Sequence, residues 1–243
     1  MPIISWDLDQ GSADWSKMRS EIPTASEFSS VMTPKTRKLS ERRKDYACRI
    51  IAARLLNWQP DSLDRVRHIE EGKRKEPIAV GLLEAEHQIK TRPVGFVRTN
   101  DKRFGASPDR VVVSGDAIKT SVELKCPQIP TQFRYLLYGH DDEYVTQVQG
   151  QIWVCEADHA LFQSFHERTP PYTVATNRDE DFIRDLSKCL DQFSDELETL
   201  YEKAKSLGDY QEFERWLSPA EKEAVPDDEA VQRAIDSDYN WAG

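Results

Sequence analysis

Asp109 stands in Gly105-Ala106-Ser107-Pro108-Asp109-Arg110, and Glu123 and Lys125 follow in Val122-Glu123-Leu124-Lys125-Cys126-Pro127. Residues two apart on a β-strand point to the same face, so Glu123 and Lys125 share one side. If the run after Asp109 is the hairpin neighbour of that strand, its carboxylate joins them. Two carboxylates converging on one point bind a hard divalent cation through oxygen, as Mg²⁺ prefers. An ammonium beside them can hold a metal-bound water and stabilise charge on a phosphoryl oxygen. Metal, carboxylates and lysine together describe hydrolysis of a phosphodiester. A Glu-x-Lys alternation alone is common on the solvated face of a sheet. The Pro-Asp fourteen residues upstream, with a turn between, adds the specificity.

The elements that must position these groups show in the periodicity. Three β-like runs, Val94 to Arg98, Arg110 to Ser114 and Ser121 to Cys126, surround the acidic residues, and Gly115-Asp116 between the last two predicts a hairpin. Thr24-Ala25-Ser26-Glu27-Phe28 reads as a helix start. A helical pattern spans about Asp64 to Lys90, with Pro77 expected to start or kink it. Glu143 to Glu156 carries Tyr144, Val148, Ile152 and Cys155 on one helical stripe, and Ala160 to Phe165 and Tyr172 to Ala175 are further strand candidates. From Glu180, the series Phe182, Leu186, Leu190, Phe193, Leu197, Leu200, Ala204, Leu207 predicts a long amphipathic packing helix.

The net charge of -10 argues against a nucleic-acid partner only if it is evenly spread. It is not. Up to Asn177 there are 25 basic and 24 acidic residues; from Arg178 to Gly243 there are 8 and 19. Lys35 to Arg54 alone carries eight basic residues against two acidic ones, a run that is either a solvated helix face or a nucleic-acid contact. The four cysteines, Cys48, Cys126, Cys155 and Cys189, are scattered without a zinc or disulfide spacing, which suits a reducing compartment. No signal peptide or membrane-length apolar stretch is expected, so a cytoplasmic location without membrane association is.

Further blocks flank the acidic pair: Trp15-Ser16-Lys17-Met18-Arg19 with Thr24-Ala25-Ser26; Gly72-Lys73-Arg74-Lys75-Glu76; and Tyr144-Val145-Thr146-Gln147-Val148-Gln149 before Trp153-Val154. Pro108-Asp109 … Glu123-Leu124-Lys125 resembles the signature of the restriction-endonuclease-like nucleases. All the blocks, in order over roughly residues 15 to 155, resemble the lambda-type phage recombination exonucleases, YqaJ-like viral recombinases within that superfamily. The resemblance implies an α/β (α+β) fold: a restriction-endonuclease-like core with a central mixed β-sheet flanked by helices, and the long C-terminal helix added. Residues 1–215 would form one nuclease domain, with a motif core at about 15–177 and a packing helix at about 180–207. Residues 216–243 would be an acidic segment in which Trp216, Tyr239 and Trp241 leave open a docking role.

By that resemblance Asp109, Glu123 and the backbone carbonyl of Leu124 are metal ligands, Lys125 positions or activates the attacking water, and Glu76 assists a second metal or orients the water. Glu84 and Glu86 are rival helical glutamates without the Gly-x-x-x-Glu context. Gln147 would sit beside the metals, and Tyr144 would line the active site or belong to the core. Arg19, Ser26 and Ser107 match contacts to a terminal 5′-phosphate, while Thr131 stands where a further arginine is expected, with Arg134 the nearest basic residue. The implied activity is Mg²⁺-dependent (Mn²⁺ substituting), ATP-independent 5′→3′ digestion of one strand at double-stranded DNA ends, releasing mononucleotides and leaving a 3′ single strand. The implied assembly is a homotrimeric ring, and the implied partner is a single-strand annealing recombinase, in the cytoplasm of a bacterial host carrying the phage or prophage. An endonuclease of the same superfamily and a catalytically silent DNA-end-binding adaptor are the alternatives.

Overall fold

The computed structural model of the chain describes residues 1–58, 63–140 and 142–208, with the backbone alone described at 63–73 and 142–143. In chain order its elements are β1 (Ile3–Ser5), α1 (Ala13–Ser20), a 3-10 turn (Ala25–Glu27) running into α2 (Phe28–Val31), β2 (Met32–Thr33), β3 (Lys38–Leu39), α3 (Arg43–Leu56), α4 (Leu63–His87), β4 (Arg92–Pro93), β5 (Phe96–Arg98), β6 (Gly105–Ala106), β7 (Arg110–Ser114), β8 (Ala117–Lys125), α5 (Ile129–Tyr138), α6 (Asp142–Cys155), β9 (His159–Ser164), β10 (Tyr172–Asn177) and α7 (Glu180–Lys205).

The β-branched run Val111-Val112-Val113 and the Ile118 to Val122 stretch pair across Gly115-Asp116 as the predicted hairpin, Gly115 taking a positive φ of 60°. A register shift at Val112/Val113 sets Arg110 opposite Val122, which brings the residue before Arg110 alongside Glu123. The main sheet has the order β10-β9-β8-β7-β4. β8 and β9 run parallel, and the crossover between them is α5 and α6; the other pairs are antiparallel, so the sheet is mixed as expected. The run around Phe96 departs from the main sheet and forms a separate three-stranded one, β1-β5-β6. Pro77 does not start a helix: α4 runs through it.

The apolar stripe of α7 (Phe182, Leu186, Leu190, Phe193 and Leu197) is buried, and the Phe193 ring stacks on Tyr46 of α3 at 5.7 Å. The stripe ends short of the expected Leu207, which lies past the helix and is 72% exposed. The acidic flank of this helix meets the basic run of the N-terminal half. Arg43 Nε donates to Glu196 at 2.8 Å, Arg54 Nη1 to Glu198 at 2.7 Å and Arg37 Nη1 to Asp185 at 3.5 Å, while Arg49 is held by Glu27 at 2.9 Å. Much of that run is therefore neutralised within the fold. Met1–Glu202 is one compact unit and Lys203–Gly243 another, described only to residue 208. Residues 216–243, with Trp216, Tyr239 and Trp241, lie outside the described residues. No helix among the described residues is long and apolar enough to cross a membrane.

Candidate active site

A pocket of about 460 Å³ opens beside the C-terminal end of β8, a volume suited to a mononucleotide-sized ligand. Asp109, one residue ahead of β7, accepts the main-chain N–H of Leu124 at 2.6 Å. Glu123 is only 4% exposed, and three side chains donate to it. Lys125 Nζ and Gln147 Nε2 reach Oε1 at 2.6 and 2.7 Å, and Gln151 Nε2 reaches Oε2 at 2.6 Å. The strand period places Glu123 and Lys125 together, and the helix period of α6 places Gln147 and Gln151 one turn apart on one face. All five residues, with Glu76 of α4 and Leu124, line the pocket.

The electrostatics follow from burial. Desolvation, and then the like charge of Glu123, push the Asp109 carboxyl well above the usual aspartate range, against the opposing pull of Lys125 and the Leu124 N–H. Burial disfavours the Lys125 ammonium, but the charges of Glu123 and Asp109 outweigh it and raise its pKa, so the lysine is a cation at neutral pH. The ring of Tyr144 lies 5.7 Å from Lys125 Nζ and backs it without lining the pocket; its hydroxyl accepts from Tyr135 at 3.1 Å. Burial, then Glu76, push the Cys126 thiol up to about 11, so it is no nucleophile at neutral pH.

The other wall comes from the N-terminal region. Arg19, at the end of α1, stacks 4.4 Å over Trp15 and donates Nη2 to Ser26 Oγ at 2.9 Å. Ser26 sits in the 3-10 turn, whose leading residue Thr24 gives its N–H to the buried Tyr46 hydroxyl at 2.9 Å. That turn packs on α6 because residue 150 is glycine: a Cβ there would stand 2.6 Å from Phe28 Cδ2. Ser107 Oγ is buried and has no hydrogen-bond partner among the described residues. Arg19, Ser26 and Ser107 thus line the same pocket as the carboxylates, whereas Thr131 and Arg134 are exposed on α5 and do not. Glu84 is placed elsewhere: its Oε1 accepts the N–H and the hydroxyl of Thr91, both at 2.8 Å, and closes the turn after α4.

Two hydrogen-bonding side chains of the pocket, in addition to Gly11, were not singled out in the sequence. Gln10 Nε2 donates to the carbonyls of Val94 and Pro108 at 2.8 and 2.9 Å and so fixes the loop that presents Asp109. Gln151 is 1% exposed and leaves its Oε1 without a partner among the described residues. Its position four residues after Gln147 was the available signal; nothing local marks Gln10.

No three His, Cys, Asp or Glu side chains among the described residues cluster tightly enough to hold a metal by themselves. The donor chemistry nevertheless fits a hard divalent cation. Asp109 and Glu123 are buried oxygen donors whose mutual repulsion a cation would relieve, Glu76 shares the pocket, and the orphaned Gln151 Oε1 and Ser107 Oγ add neutral oxygens.

The sequence profile of the YqaJ-like viral recombinase domain matches residues 14–158. Two crystal structures of LHK-Exo, an alkaline exonuclease from Laribacter hongkongensis, each cover 81% of this chain and 100% of their own. The complex with dAMP shares 26% identity at a TM-score of 0.69, the other 25% at 0.64. A phage-related exonuclease from Haemophilus somnus 129PT, at 14% identity and a TM-score of 0.61, covers 78% of this chain and 99% of its own and shares the fold. No curated protein matches. The expected restriction-endonuclease-like arrangement, a mixed sheet flanked by helices with a long C-terminal helix, is the one observed.

Proposed function

The chain belongs to the YqaJ-like viral recombinase domain family, and from that premise and the site we infer that it is a Mg²⁺-dependent exonuclease acting on double-stranded DNA ends. It digests one strand in the 5′→3′ direction to mononucleotides and leaves a 3′ single strand. The observation that carries this reading is the convergence of Asp109, Glu123 and Lys125 on one pocket with Arg19, Ser26 and Ser107. The dAMP in the LHK-Exo complex, a mononucleotide in a 26% identical relative, supports it.

Asp109, Glu123 and the main-chain carbonyl of Leu124 would hold Mg²⁺, with Glu76 assisting, and the bound ion supplies Lewis-acid polarisation of the phosphate and a more acidic water. Lys125, kept cationic by the carboxylates, positions water with its N–H donors and offsets charge on the phosphoryl oxygens. Gln147 and Gln151 fix the Glu123 carboxylate from either oxygen. The Arg19 guanidinium and the Ser26 and Ser107 hydroxyls are donors suited to a terminal phosphate, and Arg19 and Ser26 are already hydrogen-bonded to each other.

The same reading carries the family's homotrimeric ring, ATP-independent processivity, a single-strand annealing recombinase as partner, and a place in the host-cell cytoplasm. Three copies of the 28.0 kDa chain set the mass that light scattering should report. Linear duplex labelled at the 5′ or 3′ end, with and without a 5′-phosphate, tests the chemistry beside closed circular duplex. The expected result is Mg²⁺-dependent loss of 5′ label as mononucleotide, intact circles, and no digestion by Asp109→Ala or Lys125→Ala. Persistent full-length DNA, or equal activity from both variants, refutes the reading.

A further inference from the structure

A second cavity, of about 420 Å³, opens at the ends of the parallel pair β8 and β9, between the start of α5 and the loop after β9. Chain neighbours divide the two cavities: Glu76 and Cys126 line the active pocket, while Lys75 and Pro127 line this one.

Its groups are those of an anion site. Lys75 is 7% exposed, lines the cavity and has no hydrogen bond or ion pair among the described residues. Its stem is packed away while its ammonium opens onto the cavity, so an anion entering there meets a cation already held in place and not yet neutralised. The first turn of α5 faces the same space. Its N-cap Gln128 makes no side-chain cap, which leaves the N–H groups of Ile129 and Thr131 without helical acceptors. Arg168 adds an exposed guanidinium, and its main-chain N–H is tied to Nδ1 of the buried His166 at 3.2 Å. Among the described residues the one carboxylate lining the cavity, Glu167, is engaged by Arg74 at 3.7 Å. Hydrogen bonds tie the frame together: fully buried Gln132 staples α5 to the end of β9 and to the loop after it through the carbonyls of Ser164 and Pro170 at 3.2 and 3.0 Å, and Phe165 N–H bonds Lys125 C=O at 2.8 Å.

We propose that this cavity is a second phosphate site, gripping a backbone phosphodiester of the DNA whose end occupies the active pocket. It rests on the nuclease reading and adds Lys75, Arg168 and the α5 N-terminus as the groups that hold the substrate one step away from the chemistry. Lys75 supplies a point charge, Arg168 a fork and the helix start its amides.

The test is a fluorescence anisotropy titration of full-length protein with a 5′-hydroxyl duplex in EDTA, which leaves the terminal-phosphate contacts unused and prevents cleavage. Wild type, Lys75→Met and Arg168→Gln are compared between about 50 and 200 mM KCl. Each variant should bind more weakly and lower the slope of log K against log salt by about 0.9. Lys75→Met should keep its melting temperature, since an unpaired charge gives way to an apolar chain of similar length. Slopes equal to wild type in both variants overturn the proposal. So does a stabilisation by inorganic phosphate that Lys75→Met abolishes while its DNA slope is unchanged, which would mark a site for the free ion. If Lys75→Met fails to fold, the exposed Arg168→Gln decides alone. A wild type that binds duplex and digests it in Mg²⁺ while the variants keep its slope sinks this inference only; one that does neither sinks the nuclease reading with it.

Discussion

Replacing Gln151 by methionine separates holding the fold from holding the site. The native amide donates to Glu123 Oε2 at 2.6 Å from a position only 1% exposed. A hydrogen bond to a charged group contributes about 1.5–3 kcal/mol, and methionine removes it. The same substitution removes Oε1, a buried carbonyl oxygen with no partner among the described residues, whose desolvation costs about 1–3 kcal/mol. The two effects oppose, so unfolding free energy should stay within about 2 kcal/mol of wild type in a urea melt. The activity does not benefit from that cancellation. Glu123 loses its one donor on Oε2 among the described residues while Lys125 and Gln147 both pull on Oε1, so the carboxylate is free to turn. A loss of about 1.5–3 kcal/mol in its placement corresponds to roughly a 10- to 150-fold fall in the digestion rate. Activity within about threefold of wild type would refute the positioning role, because it lies below the smallest fall this argument allows. A stability loss above about 3 kcal/mol would show that the orphaned oxygen costs nothing.

Tyr46→Phe strips the acceptor from the Thr24 N–H and should cost about 1–3 kcal/mol by urea denaturation. Burial pushes the Tyr46 hydroxyl up to about 12, so wild type holds its full contribution below the unfolded value near 10 and loses it as pH rises through 12; the gap to Tyr46→Phe should therefore narrow over that window. For Glu84, the Thr91 N–H and hydroxyl lower the carboxyl to about 2. Glu84→Ala should then destabilise by about 1.5–3 kcal/mol at neutral pH, a difference present above the unfolded value near 4.5 and gone as pH falls through about 2, read from denaturation at both extremes. Gly150→Ala puts a Cβ 2.6 Å from Phe28 and 3.3 Å from Ala25 Cβ, so it should cost about 1–3 kcal/mol and weaken binding of a 5′-phosphorylated end by displacing the Ser26 turn, measured by melting and anisotropy. An unshifted melting temperature would mean that α6 and the turn separate freely.

The part of the site written in the sequence is the part set by local geometry. Glu123 and Lys125 share a face because the strand period is two, and Asp109 joins them because Gly115-Asp116 turns the chain back in a short hairpin. The helices and strands after Tyr144 were legible for the same reason, since apolar spacing reports the face an element buries. Arg19, Ser26 and Ser107 had no such signal and were reached only through the ordered motifs they stand in. Packing between distant segments decided the rest. Gln10 reaches a loop 98 residues away, and Lys75 of α4 shares a cavity with the α5 start at the ends of the parallel pair β8 and β9. The basic run around Arg43 and Arg54 read as a candidate DNA surface, yet α7 lays Glu196 and Glu198 against it across about 150 positions of chain. Composition counted those charges correctly. Which of them remain free for a phosphate was decided only when the helices packed, because pairing depends on distance in space and not on order along the chain.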